Sequence, residues 1–116
     1  MKLIALLLAI TLSGCMAWSK ADIAREATYV AIHMVDWGQT RDIAKNPDKY
    51  HEKNPILGEH PSTKEVDRYM AASLAGHILI TSLLPSNLRP YWQYGTIAFS
   101  GYLVVNNHSI GLRMSW

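Results

Sequence analysis

Five histidines and nine carboxylates in a chain of 116 residues raise metal-assisted hydrolysis as the first chemistry to weigh. His33 and Asp36 stand one helical turn apart, and His51, Glu52 and His60 follow in a short stretch. Zinc needs three or four such side chains to converge, with a position left open for water. His51-Glu52 lacks the second histidine, four residues on, that a zinc-binding helix would carry. No G-x-S-x-G elbow presents a serine nucleophile, and no glycine-rich loop cradles phosphate. A metal-dependent enzyme therefore stays an alternative, and the expectation is a non-enzyme without cofactor or metal.

A second polar set consists of Asp36, Gln39, Thr40, Glu52 and Asn54. Together these side chains could hold an ion or a polar ligand at a membrane edge, where a carboxylate is costly unless it has a task. The competing role is structural. Asn54-Pro55 favours a turn, and Glu52 can accept amide hydrogen bonds, so the set would tie a loop to a helix. The structural role is favoured.

The single cysteine, Cys15, follows an apolar run from Leu3 to Ile10 behind Met1-Lys2. A charged start, an apolar core and a small-residue site make the plan of an export signal. One cysteine excludes a disulfide within the chain and any cysteine-rich metal knuckle. Leu12-Ser13-Gly14-Cys15 resembles the lipobox of bacterial lipoproteins, which implies cleavage before Cys15 and diacylglycerol on its sulfur. The expected address is the bacterial cell envelope, inner or outer membrane, with membrane lipid as the partner of acylated Cys15.

Asp36, Gln39, Thr40, Glu52, Asn54 and Pro55 also resemble the signature of an uncharacterised family of small bacterial membrane proteins. That resemblance, over roughly residues 30 to 105, implies membrane helices and no defined activity. Membrane-bridging lysis proteins of phages offer a further alternative, since a lipobox at one end and a hydrophobic segment at the other is similar to their plan. Those proteins have one C-terminal span and a long linker, whereas two candidate spans and a short linker occur here.

Positioning these residues falls to helices. The expectation is an all-α, three-helix bundle over residues 15 to 116, following a signal peptide over 1 to 14. Ser19 to Asp22 has the form of a capping box and opens a helix to about 44, and Ser62 to Glu65 opens a second to about 84, halted by Pro85. Asn87 can cap a third, about 88 to 109, with Pro90 in its first turn. Residues 45 to 61 read as an irregular connector with prolines and a glycine.

All nine acids lie between Asp22 and Asp67, and beyond Arg68 the only bases are Arg89 and Arg113. They delimit uncharged stretches at 69 to 88 and 90 to 112, each of the roughly 20 residues that span a bilayer. The second and third helices are accordingly expected to form an antiparallel, membrane-associated hairpin, with Ala72, Gly76, Gly95, Ala98 and Gly101 at a close seam. A net charge of +2 without a basic, aromatic-interleaved patch argues against nucleic acid. An envelope protein or a second copy remains as partner, and the function expected is binding or structural.

Overall fold

A computed structural model describes Lys2 and residues 18 to 116. Cys15, the lipobox and nearly all of the signal lie outside the described residues. Three helices follow in order, α1 (Lys20–Lys45), α2 (Thr63–Leu83) and α3 (Arg89–Ser109), and among the described residues there is no strand.

Local chemistry fixes the helix ends. Ser19 Oγ accepts the Asp22 amide at 3.0 Å and the Asp22 carboxylate accepts the Ser19 amide at 3.0 Å, so two of the first-turn amides of α1 are satisfied reciprocally. α1 stops at Lys45, where Asn46 precedes Pro47 and cannot easily stay helical. Ser62 Oγ accepts the Glu65 amide at 3.1 Å, opening α2, and Pro85 follows its end. The third start corrects the expectation for Asn87. Leu88 occupies the cap without a side-chain bond, because Pro90 in the first turn leaves one fewer amide to satisfy. Gly111, at φ 103, makes the left-handed turn that ends α3.

α1 is the central helix. α3 runs parallel to it, as Gln93 meets Asp22 and Asn107 meets Asp36, whereas α2 runs antiparallel, with His77 against Glu26 and Asp67 against Arg41. α2 and α3 touch near their joining turn, where His77 meets Thr96 and Trp92 meets Thr81, and they part toward the connector. The expected glycine seam is thereby corrected. A Cβ added at Gly76, Gly95 or Gly101 would meet nothing within 4 Å, since both helices pack chiefly on α1.

Gly38 is the glycine that a close approach requires. The segment after α3 folds back over α1, where the Ser115 amide donates to Gly38 O at 3.0 Å. A Cβ at Gly38 would lie 2.9 Å from Trp116 Nε1 and 3.0 Å from the Met114 side chain. Only glycine leaves room for this crossing.

The interior is unusually polar. Asp22, Glu26, His33, Gln39, His77, Arg89 and Gln93 are buried, while Ile78, Leu79, Leu83, Tyr94, Phe99 and Val105 are exposed. Among the described residues no helix is long and apolar enough to cross a membrane. This corrects the reading of two spans from their length alone. Uncharged side chains such as His77, Thr81, Gln93 and Ser100 lower the hydropathy of stretches that contain no ionised group.

Candidate functional site

The parting of α2 and α3 opens a cleft of about 630 Å³ over the face of α1. Its inner end is a column of rings. His77 stacks on Tyr29 with centroids 3.5 Å apart and planes 10° from parallel, and Trp92 lies beyond His77 at 5.0 Å. His77 is fixed from both sides, with Nδ1 3.0 Å from the Glu26 carboxylate and Nε2 2.8 Å from Thr96 Oγ1. His33 continues the column, its ring 5.6 Å from that of Tyr29. His33 Nε2 lies 2.9 Å from Met70 O, which can only accept, so this nitrogen carries the proton and Nδ1 faces the Tyr29 hydroxyl at 3.4 Å. Every ring nitrogen in the column therefore has a protein partner.

The outer end of the cleft gathers most of the polar set named from the sequence. Asp36, Thr40, Glu52 and Asn54 all line it, joined by Lys53, Leu57 and Asn107. Gln39 stands behind them, buried, donating to Val104 O at 3.2 Å. Asn107 binds α3 to α1 by donating to Asp36 Oδ1 and to Gln39 Oε1, each at 3.1 Å. Thr40 Oγ1 returns to Asp36 O at 2.8 Å.

Glu52 and Asn54 are held by their own loop. Glu52 Oε1 accepts the amides of Lys53 and Asn54 at 2.9 and 3.0 Å, and Asn54 Oδ1 accepts the Ile56 amide at 2.9 Å. These Asx-type bonds shape the connector. They also set Glu52 toward the cleft, where its charge and burial push the Asp36 carboxyl up to about 6, burial being the larger cause. Asp36 thus exchanges its proton near neutral pH, which suits it to meet a ligand as hydrogen-bond donor or as anion.

The metal hypothesis finds no site, since among the described residues no three His, Cys, Asp or Glu side chains gather closely enough to hold an ion. His51 and His60 line a separate pocket of about 220 Å³ with Asp48 and Glu59, away from His33 and His77. Asp22 pairs with its helical neighbour Arg25 and with Arg89 at 3.4 Å.

Sequence reasoning missed Tyr29, His77, Trp92, Thr96 and Asn107. The available signal was a histidine within the apolar stretch Met70 to Leu84, because a lone polar ring there must find partners on neighbouring helices. Tyr29 and His33, and likewise Trp92 and Thr96, are four residues apart and so share one helix face. Set against protein-family models, curated proteins and solved structures, the chain matches none.

Proposed function

We propose that this chain is a lipid-anchored protein of the bacterial cell envelope whose role is to bind a small ligand in the cleft, without catalysing a reaction. The cleft is the observation that carries the reading. Its volume falls within the range of small-molecule sites, and it joins apolar walls to polar groups, those of the inner end paired within the protein and those of the outer end facing the cleft. Asp36, Asn107 and Glu52 would orient the ligand, and Phe99, Leu103 and Ile80 would cover its apolar part. The lipobox resemblance at residues 12 to 15 supports the anchor, and the uncharged stretches 69 to 88 and 90 to 112 support a place at a membrane.

Native mass spectrometry of protein extracted from its own membranes tests the binding role. The added Cβ at Gly76 meets open space, so Gly76→Phe fills the cleft from α2 without a clash at the backbone. Wild-type protein should carry a co-purifying adduct that Gly76→Phe lacks. Identical spectra without an adduct would remove the binding reading. For the anchor, the mature N-terminus should begin at Cys15 with a diacylglycerol mass, and an unmodified chain starting at Met1 would refute it.

A further inference from the structure

We propose that lipid acyl chains cover a belt around this bundle, formed by the outer faces of all three helices. Among residues 18 to 116, no exposed residue carries a charge from 21 to 35, from 69 to 88 or from 90 to 107. The belt instead presents Ile23, Leu79, Tyr91, Tyr94, Tyr102 and Val105, with Tyr91 79% and Val105 69% exposed. Exposed apolar side chains along three helices, with no exposed charge among them, mark a contact with lipid or with protein.

Two features select lipid. The belt wraps α1, α2 and α3, whereas a two-fold contact with a second copy would bury one patch and leave the others wet. Charge is also segregated along the bundle axis. Apart from Lys20, the exposed charges among residues 18 to 116 lie between Lys45 and Arg68 or at Arg113, beside the connector. The opposite end, where Asp22 meets Arg89, is also where the chain enters from Cys15. Four residues span at most about 14 Å, so an acyl group on Cys15 would reach the edge of this belt.

Composition alone misses the belt because the polar residues of these helices point inward. His77, Thr81 and Ser82 on α2 and Gln93 and Ser100 on α3 are all buried. The uncharged helical part of α2, residues 69 to 83, is about 22 Å long against a hydrocarbon core of about 30 Å. Lipid cover therefore entails local thinning of the bilayer or immersion to part of its depth.

The test uses the full chain with Cys15→Ala, reconstituted in vesicles of phosphatidylethanolamine and phosphatidylglycerol. A single spin label is attached after Leu79→Cys, Tyr102→Cys or Lys49→Cys, all at exposed positions. Lipid cover predicts that collisions with oxygen exceed those with a water-soluble nickel chelate at positions 79 and 102, with the reverse at 49. Nickel access at 79 and 102 equal to that at 49 would overturn the proposal in favour of a wet face. Shielding from both reagents, in a chain that elutes as a defined oligomer, would overturn it in favour of a second copy. None of these readouts involves the ligand of the cleft, so the two proposals fail separately.

Discussion

The two ends of the bundle solve the same problem differently. At the turn end α2 and α3 are drawn together by Arg89, which donates to Thr81 O at 2.9 Å and to Ser82 O at 3.3 Å while facing Asp22. At the connector end the same two helices are held apart, and Asn107 spans only to α1. Polar groups close the first end by pairing with one another across the helices. They leave the second end open because Asp36 and Glu52 keep capacity facing the cleft. Satisfied networks stiffen a core, and partly satisfied ones make sites.

The largest expected effect comes from breaking the closed end. Arg89→Met should lower stability by about 3 kcal/mol, since it strips a buried guanidinium from Asp22 and from two backbone carbonyls. Thermal unfolding followed by circular dichroism should show the loss, and an unchanged midpoint would mean that the closed end is not held by this group.

At the open end the effect should have the opposite sign. Asp36 has a folded pKa of about 6 against an unfolded value of 3.8, so the fold holds this proton more tightly than the unfolded chain does. Its contribution favours the fold below pH 3.8 and is lost as pH rises through about 6. Asp36→Asn keeps an acceptor for Asn107 and cannot ionise. At pH 7 it should stabilise the protein by about 1 to 2 kcal/mol, allowing for partial solvent access. A difference curve between the two proteins from pH 4 to 7 should rise over that window, and a flat curve would contradict the assignment.

Smaller effects separate the two kinds of glycine. Gly76→Ala, at a helix position with open space around it, should stabilise by about 0.5 to 1 kcal/mol. Gly38→Ala should instead destabilise, because Trp116 and Met114 block its Cβ. Unfolding midpoints of the two variants shifting in the same direction would show that the C-terminal crossing is loose. The smallest change is expected at the solvent-facing pair. Arg41 and the Trp37 indole N–H hold the Asp67 carboxyl below its usual range. This contribution is present above pH 3.8 and fades as pH falls through the lower folded value. With the Asp67 side chain 41% exposed, Asp67→Asn should cost less than about 1 kcal/mol, and only above the acid range.

Helix ends were legible in the sequence because capping is local chemistry, carried by Ser19, Ser62 and the prolines that follow α1 and α2. Which helix faces pack inward was not legible. A pattern of polar and apolar faces gives two sides to a helix without saying which side is buried, and here the usual assignment is reversed. Gly76 and Gly101 suggested a seam only on the assumption that α2 and α3 are each other's main partner, whereas α1 takes that role. For the cleft, Asp36, Thr40, Glu52 and Asn54 were visible as a set because their types are costly near apolar helices. His77 and Trp92 looked like ordinary members of apolar stretches until α1 brought Glu26 and Tyr29 against them.

The parallel pairing of α1 with α3 also sets a waiting time during synthesis. Gln93, which donates to Asp22 O, and Asn107, which donates to Asp36, each lie 71 residues after their partner. At about 5 to 20 residues per second, translation takes roughly 4 to 14 s to cover that separation. For those seconds the inner face of α1 has no third helix to meet. Whatever receives the emerging chain must shelter Asp22, Glu26 and Asp36 on one helix until α3 arrives, a demand that a bundle joined neighbour to neighbour would not make.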